Sequence, residues 1–167
     1  GKVGVKEGDT PAFFYVLPNN LSDPEHPEWG NWGGRFLPSG QDREYLPAED
    51  LRNGQPDLLY TIHRWRPAYQ NEFQARMDWC VHPRDKANHE PVAVLAGDRT
   101  RRVLQREVAP GEEVRLSATG SSDPDGHPIR YRWWNHVEAG TYWAALPIAD
   151  GDKADARLAV PREASGR

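Results

Sequence analysis

The segment from Leu21 to Phe36, LSDPEHPEWGNWGGRF, constrains the fold most, because it combines large aromatic residues with a composition that prevents regular structure. Its prolines and glycines interrupt any helix or strand, whereas Trp29, Trp32 and Phe36 are too apolar for a disordered linker. A loop of this length stays ordered only when it packs against something. We therefore predict an ordered loop whose aromatics either plug the edge of a core or line a ligand-binding surface.

Aromatic residues also have to supply much of the hydrophobic core. The chain has 167 residues, enough for one domain or two small ones. Leu, Ile, Val and Phe together fall below the level of roughly 20% that autonomous folding usually needs. Seven Trp and six Tyr make up part of this deficit, since each can bury on the order of 150 to 250 Å². We expect a core built around aromatic side chains.

Charge and hydropathy exclude two classes of partner. The formal net charge is -4 and the pI is about 5.9, with acids and bases interspersed. The chain therefore lacks the continuous basic stripe of a nucleic-acid-binding surface. The sequence also has no apolar run of about 18 residues that would span a bilayer. We expect neither nucleic acid nor a membrane as a partner.

Helix signals occur at the start and in the middle of the chain. Asp9 or Thr10 can cap a first helix, and Pro11 suits its first turn. A second, longer helix begins near Pro67 and carries apolar residues at steps of four, four and three, namely Tyr69, Phe73, Met77 and Cys80. This spacing predicts a core-facing stripe, in which the single cysteine is a buried, inert thiol.

From Asn88 onwards the pattern changes to short β-rich runs separated by Pro, Gly and Asp turns, including PVAVLAG, EVRLSA, IRYRWW and ARLAV. Such spacing predicts an antiparallel β-sandwich. Residues 113–118 alternate between apolar and polar, so one face of that strand is expected to be buried. The same alternation places Trp133 in the core and Trp134 outside, among arginines.

Six residues are candidates for ligand binding: Trp29, Trp32, Arg35, Trp65, Trp134 and Trp143. Sugar rings pack their apolar faces on flat aromatic rings, and their hydroxyl groups need a polar rim. Every one of these tryptophans also has a structural alternative; Trp65, between two arginines in HRWRP, would form a stacked Arg–Trp lid. The residues thus leave open a carbohydrate-binding module and a purely structural module.

The turn GSSDPDGHP holds the candidate metal ligands of the second half. Asp123, Asp125 and Gly126 resemble the start of an oxygen-ligand cation loop, but no bidentate Glu follows at the required distance. A structural Asx-type turn is the alternative to calcium.

Several segments resemble one known architecture. GDTPAFFYVLPN, LSDPEHPEWGNWGGRF and WRPAYQNEFQARMDWCV resemble the end of the nucleoside-hydrolase-like domain of secreted bacterial cellulose-binding proteins. ANHEPVAVLAGD and VAPGEEVRLSATGSSDPDGHPIRYRWW resemble the Ig-like or PKD-like domain that follows it. The resemblance implies an α+β fold class: the C-terminal segment of an α/β nucleoside-hydrolase-like domain in residues 1–88, then an Ig-like antiparallel β-sandwich in residues 89–167. It also implies a polysaccharide or nucleoside-like partner and a secreted or periplasmic location.

The same resemblance bears on catalysis. Nucleoside hydrolases cleave N-glycosidic bonds with calcium held by an early aspartate cluster and one late aspartate, which Asp9 resembles. The early DxDxxxDD-like run is absent from the sequence, and a catalytic cation needs several oxygen ligands. We therefore expect a piece of a longer protein, with calcium as the implied cofactor and no catalytic residue in this chain. In the hydrolase alternative, the acids of the loop at 23–28 would supply a general acid or base.

Overall fold

The computed structural model describes residues 10–17, 19, 21 and 23–164. Helices and small antiparallel sheets alternate along these residues, which confirms the α+β class. The chain divides into two compact units, Gly1–Tyr69 and Gln70–Arg167. This division lies earlier in the chain than the domain boundary predicted at residues 88 and 89, which stays a prediction.

The first unit consists of short helices and two β-hairpins. Its elements are α1 (Thr10–Phe13), a 3-10 turn (Phe14–Val16), a second 3-10 turn (Pro27–Trp29), β1 (Phe36–Pro38), β2 (Tyr45–Pro47), β3 (Asp50–Arg52), β4 (Gln55–Asp57), α2 (Tyr60–His63) and the start of α3 (Arg66–Val81). Strand β1 pairs with β2, and β3 pairs with β4. Asn53 and Gly54 join β3 to β4 with φ angles of 54° and 77°, the backbone that a two-residue type I′ turn requires.

Helix α3 confirms the predicted helix but not its predicted burial. No residue of α3 is buried; Phe73 is 63% exposed, and Met77 and Cys80 are exposed as well. The predictions of a core stripe and of a buried Cys80 thiol are therefore wrong. Periodicity identifies an apolar helix face, but the element that packs on that face has to come from elsewhere in the chain. None of the described helices is long and apolar enough to cross a bilayer.

The second unit contains the rest of α3 and one antiparallel sheet. Its further elements are a 3-10 turn (Arg84–Lys86), β5 (Glu113–Ser117), a 3-10 turn (Val137–Ala139), β6 (Ile148–Ala149) and β7 (Asp155–Ala159). The strand order is β5-β7-β6. Val114 lies opposite Leu158 and is buried, whereas its neighbours Glu113 and Arg115 are exposed. The predicted alternation holds from Glu113 to Leu116, whereas Ser117 and Ala118 are both half-buried.

The remaining β-rich runs form little regular sheet. Val92 makes an isolated bridge with Ser122, and residues 129–134 form no strand, although half-buried and exposed positions alternate along them as predicted. Among the described residues the second unit has a single three-stranded sheet. The two-layer Ig-like sandwich stays a prediction.

The interior combines a few small apolar side chains with polar ones. The buried apolar residues are Ala48, Ala87, Val94, Val114 and Ala156. The largest fully buried side chains are Asn31 and Asp50. Buried polar groups cost free energy unless they are hydrogen-bonded. Both residues have hydrogen-bond partners in the first unit.

Candidate functional site

The aromatic loop of the first unit is ordered by its own backbone. Asn31 and Gly34 exchange backbone hydrogen bonds of 3.0 Å, and the buried Asn31 Oδ1 accepts a 2.6 Å hydrogen bond from the Gly33 N–H. The Tyr15 hydroxyl donates to the Gly34 carbonyl at 2.9 Å. Burial raises the pKa of Tyr15 to about 12, against the opposing effect of the nearby Arg35 charge. The ordered loop that the sequence predicts is present.

The two tryptophans of this loop have different surroundings. The Trp32 ring lies edge-on to Phe14 and to Tyr69, with ring centroids 6.0 Å and 6.4 Å apart. Phe14 stacks on Tyr69 with ring centroids 4.9 Å apart. Trp32 thus joins an aromatic cluster, which favours its structural interpretation. Trp29 stacks on His26 with ring centroids 3.8 Å apart and planes inclined by 6°. Both indoles are half-buried, and ligand binding by either stays a prediction.

Arg35 lies inside the first unit, so this ligand-binding candidate does not reach the surface. Its Nε donates to Asp50 Oδ1 at 2.9 Å and its Nη2 donates to the Glu49 carbonyl at 2.7 Å. Arg64 Nη1 donates to Asp50 Oδ2 at 2.5 Å. The sequence offered no signal for this cluster, because its members come from a loop, a strand and the end of a short helix. Arg35 is engaged in holding these segments together rather than exposed to a ligand.

Trp65 packs as its structural alternative predicted. The Arg64 guanidinium lies 5.9 Å from the centroid of the Trp65 ring and 5.3 Å from that of Tyr60. The indole is half-buried. Arg64 therefore connects the buried Asp50 with an aromatic pair, and ligand contact by Trp65 stays a prediction.

Trp133 of the second unit is half-buried, whereas Trp134 and Trp143 are exposed. The Trp133 indole N–H donates to the Lys153 carbonyl at 2.8 Å, and its backbone N–H donates to the Gly151 carbonyl at 2.7 Å. This fixes the chain so that the following Trp134 is exposed beside His136, with ring centroids 5.5 Å apart. Trp143 is 70% exposed. Trp134 and Trp143 lie at the surface, as the sequence predicts.

The turn at 120–128 has the Asx geometry that was one of its two interpretations. Asp123 Oδ1 accepts the backbone N–H groups of Asp125 at 2.9 Å and of His127 at 3.2 Å. One ligand atom from each of these three residues lies within 4.8 Å of the others. Both carboxylate oxygens of Asp125 already accept hydrogen bonds from His89. Calcium binding by Asp123 and Asp125 stays a prediction, and Asp9 lies outside the described residues.

A cleft in the second unit was not predicted. Its volume is about 650 Å³, and it lies between the end of α3, the residues that follow this helix and the turn at 120–128; the lining includes Trp79, Arg84, Asp85, His89 and Asp125. The sequence signal for it is the clustering of Trp79, in the last turn of α3, with Arg84, Asp85 and His89 just after this helix. The pairing of His89 with Asp125 joins residues far apart in sequence and has no such signal.

Two segments of the chain match models of known protein families. Residues 3–36 match the nucleoside hydrolase-like domain of cellulose-binding Sde182. Residues 113–166 match the C-terminal domain of cellulose-binding protein Sde0182. The predicted resemblance to cellulose-binding proteins with a nucleoside-hydrolase-like domain is confirmed, and the Ig-like or PKD-like character of the second domain stays a prediction. The order of the two matches is the order in which the sequence places the two kinds of domain.

A solved structure is similar over nearly the whole chain. It is a nucleoside hydrolase-related hypothetical protein from Saccharophagus degradans that is associated with carbohydrate metabolism, with 34% sequence identity and a TM-score of 0.80. The similarity covers 99% of this chain and 42% of that protein. The chain thus spans less than half the length of this relative. Among curated proteins, none matches the chain.

Proposed function

We propose that this chain binds polysaccharide and that cellulose is its ligand. The observation that carries the proposal is the 70% exposure of Trp143 within the segment that matches the C-terminal domain of a cellulose-binding protein. Trp134 is exposed in the same segment. Exposed indoles leave a large apolar area in water, and covering it with the apolar face of a sugar ring is favourable.

The surroundings of Trp134 suit a hydroxyl-rich ligand. His136 lies beside the indole, and Arg130 and Arg132 are exposed on the same stretch of chain. Stacking covers the C–H face of a pyranose while such side chains hydrogen-bond its hydroxyl groups. A polysaccharide is too large to enter a cell intact, so the proposal includes the secreted or periplasmic location.

Retention on insoluble cellulose tests this proposal. The wild-type chain is expected to leave the supernatant, and Trp143→Ala and Trp134→Ala are each expected to weaken retention by about tenfold, since a stacked aromatic contributes on the order of 1 kcal/mol or more. Phe73→Ala removes an equally exposed aromatic ring from α3 and serves as the matched control, with retention unchanged. Equal retention of all variants, or none of the wild type, would contradict the proposal.

A nucleoside-like ligand is the second candidate, and the match of residues 3–36 to a nucleoside hydrolase-like domain favours it. Hydrolysis with calcium would need the early aspartate run of nucleoside hydrolases, which these 167 residues lack, so we assign them no release of ribose by themselves. Ribose release from purine nucleosides, with and without added calcium, tests this assignment. Release by these 167 residues alone would contradict it.

A further inference from the structure

The cleft of the second unit has the size and the lining of a ligand site. Its volume of about 650 Å³ falls within the range of roughly 300 to 1,000 Å³ that small-ligand sites occupy. Trp79, at the end of α3, forms one side, and Pro124 and Asp125 of the Asx turn also line it. None of the exposed tryptophans of the matched C-terminal segment lines this cleft.

Trp79 is an aromatic surface held in a fixed orientation. Its indole N–H donates to the Asn88 carbonyl at 2.7 Å. The His89 ring lies 6.3 Å away with its plane inclined by 28°, and the Arg76 guanidinium lies 5.5 Å from the indole centroid. The ring is still 38% exposed. A flat aromatic ring that is oriented in advance loses little conformational entropy when a ligand covers it.

The opposite side of the cleft is fixed to the same segment. The His89 backbone N–H donates to Asp125 Oδ2 at 2.6 Å, and His89 Nδ1 donates to Asp125 Oδ1 at 2.8 Å. These two hydrogen bonds join the Asx turn to the residues that follow α3. The cleft is therefore preorganised by contacts of its own lining residues.

The polar groups of the rim are available to a ligand. Arg84 and Asp85 are exposed lining residues, and neither side chain forms a hydrogen bond or ion pair with any described residue of the chain. Glu90 is paired with Arg101. The lining carries three acids, Asp85, Glu90 and Asp125, against Arg84 and His89, so it has no excess of positive charge and does not suit a phosphate or a polyanion.

We propose that this cleft binds a neutral oligosaccharide, with Trp79 packing on a pyranose ring and Arg84 and Asp85 hydrogen-bonding its hydroxyl groups. The inference rests on the proposed function for its ligand class and adds a second site to it. Trp134 and Trp143 would contact the face of insoluble polysaccharide, whereas the cleft would hold a single soluble chain.

Calorimetric titration with cellohexaose tests the cleft. Arg84→Ala/Asp85→Ala changes only exposed side chains and is expected to lower the affinity by at least about tenfold, because hydrogen bonds to charged groups are the stronger ones. Asp42→Ala/Arg43→Ala, an equally exposed acid–base pair in the first unit, is the matched control and is expected to keep wild-type affinity.

The outcomes separate the two proposals. Wild-type retention on cellulose without binding of cellohexaose overturns the cleft and leaves the proposed function standing. Unchanged affinity in Arg84→Ala/Asp85→Ala does the same. Failure of the wild type to bind either ligand overturns both proposals. Hexagalacturonate that binds as well as cellohexaose would contradict the neutral class of ligand.

Discussion

Asp50 and Arg35 form an ion pair inside the first unit, with Arg35 Nε 2.9 Å from Asp50 Oδ1. The side chain of Arg35 is 5% exposed and that of Asp50 is 0% exposed. Arg64 Nη1 pairs with the other carboxylate oxygen of Asp50. The three residues connect the aromatic loop, strand β3 and the end of α2. A buried carboxylate with two cationic partners makes each partner depend on it.

Asp50→Asn is expected to lower the free energy of unfolding by about 3–5 kcal/mol, because it removes the carboxylate charge that faces the buried Arg35 guanidinium. Urea unfolding measures this change. Asp42→Asn removes a carboxylate whose pair with Arg43 is almost fully exposed, and we expect it to change stability by less than about 0.5 kcal/mol. Similar losses in the two variants would mean that Asp50 is not the charge centre of this unit.

Gly33→Ala is expected to destabilise the first unit by about 1–3 kcal/mol. A Cβ atom at this position would overlap the Pro11 carbonyl oxygen and lie 2.7 Å from Tyr15 Cδ2. Gly140→Ala is the control, since its Cβ would meet nothing closer than 3.6 Å and its φ of -98° is open to any residue. Thermal melting compares the two variants, and an unchanged melting temperature in Gly33→Ala would contradict the close approach.

Trp32→Ala is expected to lose stability and Trp143→Ala is expected to lose cellulose binding. Trp32 packs on Phe14 and Tyr69, so its loss is expected to cost about 2–4 kcal/mol. Trp143 is exposed, and its loss is expected to cost less than about 0.5 kcal/mol. Melting temperature and cellulose retention, measured on both variants, test this division. A stable Trp32→Ala variant that no longer binds cellulose would reverse the assignment of the loop.

The raised pKa of Tyr15 predicts that the protein loses stability at alkaline pH. Because burial raises its folded pKa to about 12 from an ordinary value of about 10, its contribution is fully present below pH 10 and is lost as the pH rises towards 12. In Tyr15→Phe this part of the alkaline decline is expected to disappear. The variant also loses the hydrogen bond to the Gly34 carbonyl, which costs about 1 kcal/mol at neutral pH. Unfolding curves from pH 8 to pH 12 measure both effects, and an identical decline in the variant would be the contrary result.

The lowered pKa of Asp125 predicts that the protein loses stability at acidic pH. Its hydrogen bonds from the backbone and ring of His89 hold the pKa of this carboxyl below its usual range. The contribution is therefore present above the ordinary Asp pKa of about 3.9 and is lost as the pH falls through the lower folded value. The His89 ring resonances in NMR spectra are expected to change over the same acid range. Asp125→Asn should shift them already at neutral pH; unchanged resonances would contradict the pairing.

The sequence predicted local features better than the contacts between them. Helix α3, the strand at 113–117 and the outward Trp134 followed from periodicity, which depends only on neighbouring residues. Phe73 and Cys80 are exposed although the same periodicity predicted them to be buried. The apolar pattern of a helix does not show whether another element packs on that face. The Asn53-Gly54 pair is a clear signal for a hairpin turn, but it lies in a polar segment where no hairpin was predicted. The Arg35–Asp50 and His89–Asp125 pairs depend on tertiary folding, which a single sequence does not display.

The position of Cys80 has a practical consequence. It is the single cysteine of the chain, its thiol is exposed, and it directly follows Trp79. A maleimide-linked fluorophore would therefore attach at one position, next to the indole that lines the cleft. Emission from such a label would be a direct test of the proposed oligosaccharide binding, without altering any residue of the lining.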